Sequence, residues 1–427
     1  MPSVRRLVPV LALATATALA MAPPAHARRT IKLRVPGFVV QPNTNREVCT
    51  FVPVPMSKPF DLGGSVIVNL GADESFATHH FLMWVYQGKD VERFPAKGKI
   101  VDSKACLDFG PADTNQRTLI GGAQQPRLDT RLPAGLAQQV TPTGGRCSVT
   151  TTQSCGLKSD CPNGEACVFA RHKGPVAAII LNSHWINGGD KPRKAAVKIT
   201  LMAAPKHSVR QFVLPLFDVV ANGFIKVPPD QVKSVSWAWR PGSTDYGGGI
   251  GGGAYPKGPA CVTSLTSHMH KRGTLFTIDF LDGSTAIPCP QNPQPDGTCL
   301  TGTDYSHPPQ IPFVPPLLVN VGQGLRYTCT HDNGVNRPIK MGCEEQAGVT
   351  PGIDAATTLF SGRGTTGAAK PCATDADCAG FGTGKCVPAN LVFGYTSDDD
   401  MCIMPGGWYP VNPATGNCDV SGLPILN

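Results

Sequence analysis

The sequence predicts an all-β protein built from two antiparallel β-sandwich domains, and three observations carry that prediction. Gly (47) and Pro (41) make up about a fifth of the 427 residues and charged residues only 16%, the composition of short strands joined by many turns. Apolar or alternating runs bounded by Gly, Pro, Asn or Asp recur at 65–70, 81–86, 176–181, 195–202, 274–281 and 317–321, and each reads as a strand. No window sustains a 3.6-residue apolar period, so long helices are excluded as the main architecture. With 41% apolar residues the chain can bury a core, and its length suggests two domains on a prior of roughly 100–200 residues each.

From the N-terminus, Arg5 and Arg6, an apolar run over 7–21 and Ala25-His26-Ala27 match a secretory signal peptide over 1–27, with cleavage expected after Ala27. That run is too short for a membrane span, and no later stretch approaches the ~20 apolar residues a spanning helix needs. A secreted or periplasmic protein is expected. An oxidising compartment also accounts for the sixteen cysteines as structural disulfides. The net charge of +8 is dilute, with no Lys/Arg-rich run beyond the N-terminus, which argues against a nucleic-acid partner.

A break near 203–209 divides the mature chain into a first domain over 28–205 and a second over 206–427. A glycine-rich stretch at 246–258, densest at 247–253, reads as a mobile loop inside the second. Two cysteine-dense segments look inserted, one at about 143–170 (Cys147, Cys155, Cys161, Cys167) and one at about 343–390 (Cys372, Cys378, Cys386). The phrases Lys-Ser-Asp-Cys-Pro-Asn-Gly-Glu-Ala-Cys and Asp-Ala-Asp-Cys-Ala-Gly-Phe-Gly-Thr-Gly-Lys-Cys read as one small disulfide-stapled knob used twice. Zinc is the alternative, but the gaps are wider than those of common zinc knuckles and no His accompanies them. Cys289 and Cys299 flank a Pro-rich loop and are expected to close it.

The histidines carry the chemistry. His79-His80 opens a strand-like run, and adjacent strand residues point to opposite faces, so both can serve one ion only where the backbone is irregular. His184 ends another run and can add a third imidazole. His268-Met269-His270 is a stronger local signal, because residues two apart on a strand share a face. Downstream, Asp398-Asp399-Asp400-Met401-Cys402 sets a thioether beside a cysteine, and its three acids fit either a solvated turn or a calcium site. Thioether plus imidazole is a donor set suited to copper.

These residues resemble one family, the type II, ascorbate-dependent copper monooxygenases. The similarity runs in order through Leu33-Arg34-Val35-Pro36-Gly37, Cys49, His79-His80, Leu132-Pro133-Ala134-Gly135, Leu181-Asn182-Ser183-His184, His268-Met269-His270, Arg326-Tyr327-Thr328-Cys329 and Asp400-Met401-Cys402. It implies two jelly-roll-like sandwiches and two coppers per chain. His79, His80 and His184 would hold the electron-transfer copper, and His268, His270 and Met401 the oxygen-activating, catalytic one. An open, water-filled cleft would separate them. The implied partners are O2, ascorbate or another one-electron donor, and a small organic substrate hydroxylated at a C–H bond. The resemblance also implies disulfides Cys49 to Cys106 and Cys329 to Cys402. Cys343 then completes four cysteines in the second insert, and Cys261 and Cys418, left over, can pair.

The departures bear on substrate. Where the peptide-amidating branch has an Arg two residues before the His-x-His, this chain has Thr266. The family's Asn and Tyr after the copper-binding Met are replaced by Ile403 and Pro405. Lys271 and Arg272 follow the ligand pair but precede a turn at Gly273, whereas Met269, Ile403 and Met404 offer apolar surface. A neutral or amine-bearing substrate is expected rather than a peptide carboxylate. The rival expectation is a secreted β-sandwich that binds copper or carbohydrate without turnover.

Overall fold

The computed structural model describes residues 29–73, 75–88, 90–102, 117–169, 174–243, 255–352, 368–394 and 398–426. The expected signal peptide, Cys106 and the glycine-rich stretch 247–253 lie outside them. The described residues form an all-β structure with several antiparallel sheets. Its helical pieces are single 3₁₀ turns, and no helix among the described residues is long and apolar enough to cross a membrane.

Two sheets face each other over residues 30–212. One runs in the order Thr30–Val40, Arg193–Ala203, Phe60–Leu70, Leu136–Val140 and Gln211–Phe212, with Arg127–Arg131 also on Phe60–Leu70. The other is Ile100–Asp102, Thr44–Pro55, Val176–Asn187, Phe76–Tyr86 and Arg117–Ala123. Inward residues of both, among them Val35, Ile67, Phe81, Ile179 and Val197, make one core. Phe60–Leu70 shows the alternation of a strand with one face on that core. The central strand Val176–Asn187 is buried on both faces: Ala177, Ile179 and Leu181 enter the core, while Val176, Ala178 and Ile180 pack outward against Phe51, Tyr86 and Phe94.

The same plan recurs over 214–410. Leu214–Asp218, Met404–Pro410, Ala260–Thr266 and Gln310–Val319 form one sheet. Gln231–Trp239, Gln323–Asn333, Gly273–Asp282 and Thr285–Ile287 form the other, with Leu300–Gly302 on Gly273–Asp282. Their core includes Val262, Phe276, Ile278, Phe313 and Tyr327. Strand partners change between Phe212 and Leu214, because Gln211–Phe212 still adds, in parallel, to Leu136–Val140 of the first sandwich. The strand expected at 317–321 ends at Val319. There Asn320 and Gln323 close a turn through Gly322 at φ 92°.

The C-terminal tail returns to the first sandwich. Cys418 is bonded to Cys261, and Val420 and Tyr409 pack with Leu132 and Leu136. The Leu426 N–H donates to the Val209 carbonyl (2.7 Å). Gly135 sits at φ 86°, and a Cβ there would lie 2.8 Å from a Val420 methyl carbon, so backbone conformation and close approach both require glycine.

The two inserts share one cross-linking pattern. The first pairs Cys147 with Cys161 and Cys155 with Cys167, and the second Cys343 with Cys378 and Cys372 with Cys386. A 3₁₀ turn leads directly into Cys161 in the first and ends on Cys378 in the second, and its Asp, Asp160 or Asp377, accepts two backbone N–H groups upstream. Disulfide pairing removes the zinc alternative for these cysteines. Cys289 is bonded to Cys299, and Cys329 to Cys402. Cys49 is disulfide-bonded; its expected partner lies outside the described residues.

Candidate metal centre

The irregularity that His79-His80 requires is present. His80 pairs with His184 across the sheet, the next pair is Thr78 with Trp185, and His79 is the extra residue between them. This bulge lets both imidazoles turn into one buried space, with their Nδ1 atoms 3.0 Å apart.

Amide groups orient these rings. Asn182 donates through Nδ2 to Glu47 Oε1 (2.7 Å), which turns its Oδ1 toward His80 Nε2 at 2.8 Å. His80 Nε2 therefore carries the proton, and Nδ1 keeps the lone pair that faces His79. Likewise His184 Nε2 donates to Asn45 Oδ1 (3.1 Å), and its buried Nδ1 has no hydrogen-bond partner. His79 Nε2 is a second buried ring nitrogen without one. A lone pair buried without a donor is what a metal ligand offers.

In the second sandwich, Ala260–Thr266 continues past its end so that His268 and Ile403 exchange backbone hydrogen bonds, each 3.1 Å. Extending that register sets Met401 opposite His270. His270 Nδ1 donates to the Asp399 carbonyl (3.2 Å), leaving Nε2 as its free nitrogen. Asp400, fully buried, accepts the backbone N–H of His270 (2.9 Å) and of Met401 (2.8 Å), and its other oxygen lies 3.2 Å from Nδ1 of the fully buried His331. The disulfide Cys329 to Cys402 fastens the same segment from the next residue.

The three acids are neither a solvated turn nor an ion cage. Asp398 pairs with Lys271, Asp399 with the buried Lys340, and Asp400 with His331. Arg272 donates to the carbonyls of Pro338, Asp398 and Ile339. Lys271 and Arg272 are thus committed to holding the Asp398–Met401 segment.

The resemblance implied two ligand sets separated by open water, and here they are in contact. The His79 ring lies 4.9 Å from that of His184, 5.3 Å from His268 and 4.7 Å from His270, centre to centre. His80 and His268 are 5.7 Å apart. Ligand nitrogens of His79, His80 and His268 all fall within 4.8 Å of one another. Trp84 meets Phe217 edge-on across the same boundary, at 5.7 Å. Crowded burial sets the protonation. Desolvation, then neighbouring imidazoles, hold His79 and His268 well below the usual histidine value. Burial likewise lowers His270 against the pull of Asp400, and brings His184 to about 3. These four rings are therefore neutral near pH 7, the form that binds metals. Burial would raise the Glu47 carboxyl, but hydrogen bonding and the nearby imidazoles outweigh it and bring it to about 2.

Beside the histidines lies a cavity of about 560 Å³ between the sandwiches. His80, His268, Met401 and Ile403 line it, together with a mainly apolar wall including Leu82, Trp84, Phe217 and Phe393. Two of the apolar residues expected there, Met269 and Met404, turn instead into the second core. Thr266 also lines the cavity, its hydroxyl donating to the Pro309 carbonyl (2.8 Å). The charged side chains of the lining are Glu47 and Arg117, neither of them singled out by sequence. Asn182 was within reach of sequence reasoning, since it precedes His184 by two residues on one strand face. Asn45, Glu47 and His331 reach the site only through sheet register, for which the sequence holds no local signal. No protein-family model matches this chain, and no curated protein does.

Proposed function

We propose that this chain is a copper-dependent monooxygenase of the ascorbate-dependent kind, hydroxylating a C–H bond of a small, largely apolar substrate. One observation carries the reading: five histidines from three separate stretches of sequence converge, in part held by amides, where Met401 reaches an apolar cavity. The donor set fits copper, because imidazoles with an adjoining thioether suit its reduced state. His79, His80, His184, His268, His270 and Met401 are the residues that would hold it. Bound copper would supply one-electron chemistry and the activation of O2, with ascorbate or another one-electron donor as reductant.

The chain's own residues do the rest. Asn182, Asn45 and the Asp399 carbonyl fix which ring nitrogens face inward. The cavity wall binds substrate by burial, at roughly 25 cal/mol per Å² of apolar surface, and keeps bulk water from the reacting carbon. Cleavage of a secretory signal peptide near Ala27 and export belong to the same reading.

The test is copper stoichiometry combined with oxygen uptake. Purified mature protein should bind two coppers per chain and consume O2 with ascorbate and small aromatic or aliphatic substrates. Met401→Ile removes the sulfur at similar volume and should abolish hydroxylation while copper remains at the other ligands. Copper bound without oxygen uptake would instead mark a non-catalytic copper protein. Conversion of a glycine-extended dansyl peptide would overturn the substrate assignment and bring Arg117 forward as the carboxylate partner.

A further inference from the structure

We propose that one metal ion is held jointly by the two sandwiches, by His79 and His80 of the first and His268 of the second, rather than each ion belonging to one domain. The inference shares with the monooxygenase reading only the binding of metal, and turnover plays no part in it. Three observations support it. Ligand nitrogens of these three histidines lie within 4.8 Å of one another across the boundary. His79 is 1% exposed, and its Nε2 has no hydrogen-bond partner although it is buried. Its ring packs against imidazoles of both sandwiches, closest to His270 at 4.7 Å.

An ion bound at roughly 2.0–2.1 Å by each imidazole brings tetrahedral ligand nitrogens to roughly 3.3 Å of one another. One ring nitrogen from each of the three already lies within 4.8 Å of the others, so small ring rotations close the set. Asn182 and Glu47 hold His80 in place for this. An ion shared in this way is also a clasp. The surrounding boundary is also fastened by the Trp84 and Phe217 contact, a hydrogen bond from Gln124 Nε2 to the Tyr305 carbonyl (3.4 Å) and the C-terminal tail.

Hydrogen exchange on the metal-free wild-type protein, followed by mass spectrometry as Cu(II) is added, tests this directly. With one equivalent, peptides covering 76–86 and 260–270 should gain protection together. His268→Ala should weaken the first ion roughly tenfold or more, and circular dichroism checks that the variant is folded. Protection confined to 76–86 at one equivalent, with 260–270 following only at two, would overturn the shared site. So would first-ion affinity unchanged in a folded His268→Ala. Either result accompanied by oxygen uptake in the wild type leaves the monooxygenase reading standing, whereas a wild-type protein that takes up no copper sinks both.

Discussion

The two histidine groups meet at one place but are built by opposite means. His79, His80 and His184 stand on paired strands of one sheet, and a single inserted residue aims them. His268, His270 and Met401 hang beyond the last regular pairing of their sheet, joined by one bridge to Ile403 and tied down by Asp400, two lysines and a disulfide. A sheet positions side chains through many weak backbone bonds, so one side-chain loss is absorbed. An extended segment beyond the sheet relies on a few strong ties, so one loss is not.

The sharpest way to break this comparison is Asp400→Ala. It strands two backbone N–H groups and the buried His331, and removing one member of a buried pair costs about 3–5 kcal/mol. Denaturant unfolding should show a loss of that size, with copper binding weakened wherever His268, His270 or Met401 contributes, while His79, His80 and His184 keep their places on the sheet. Retained stability would mean that the disulfide and the two lysine pairs suffice to hold the segment.

On the sheet side, Asn182→Ala removes the acceptor that orients His80. Outer partners of this kind are worth roughly 10–100-fold in metal affinity, so copper titration should show a loss in that range with little change in unfolding midpoint. A large fall in stability would show the sheet to be as dependent on single ties as its counterpart.

Acid should act through the imidazoles. The folded values of His79, His184, His268 and His270 lie below the free value of about 6.5, His184 at about 3, so the unfolded chain binds more protons than the folded one. Stability of the metal-free protein is therefore fully present above pH 6.5 and is lost as pH falls toward 3. Each such imidazole contributes a slope of up to about 1.4 kcal/mol per pH unit. Unfolding of His184→Asn between pH 7 and 5 should be less steep than wild type by about one such slope. Parallel curves would contradict a neutral His184.

The smallest effect is expected at the first knob. It carries both of its disulfides, and its Glu165 accepts from its own Val149 and Thr150. Replacing 146–169 with a short Gly/Ser bridge should leave copper binding intact and the midpoint nearly unchanged. The second knob differs, because its stalk carries Lys340 on Asp399 and the Ala389 carbonyl on Asn333. Copper lost on excising the first knob would show it to be part of the folded core.

The strands were legible because burial imposes a period of two and turns demand Gly, Pro or Asn, both local properties. Five of the six expected runs lie inside observed strands, and 317–321 overran by two residues at a turn. The inserts were legible from cysteine spacing, and their crossed pairing, first to third and second to fourth, emerged only in three dimensions. His268 and His270 declared themselves by a spacing of two, while His79 needed a bulge that no residue type announces. That Asn45 serves a histidine 139 residues away, and Glu47 an asparagine 135 residues away, is a matter of register, set by the whole sheet.

The returning tail gives the cavity a chemical dependence of its own. Leu132 and Val213 belong both to the cavity wall and to the cluster packed around Cys418. That cluster is fastened by a bond between Cys261 and a residue 157 positions away. Thiols that cleaved this bond would loosen part of the wall without touching a single histidine. The shape of the space beside the histidines is thus tied to the redox state of the surroundings.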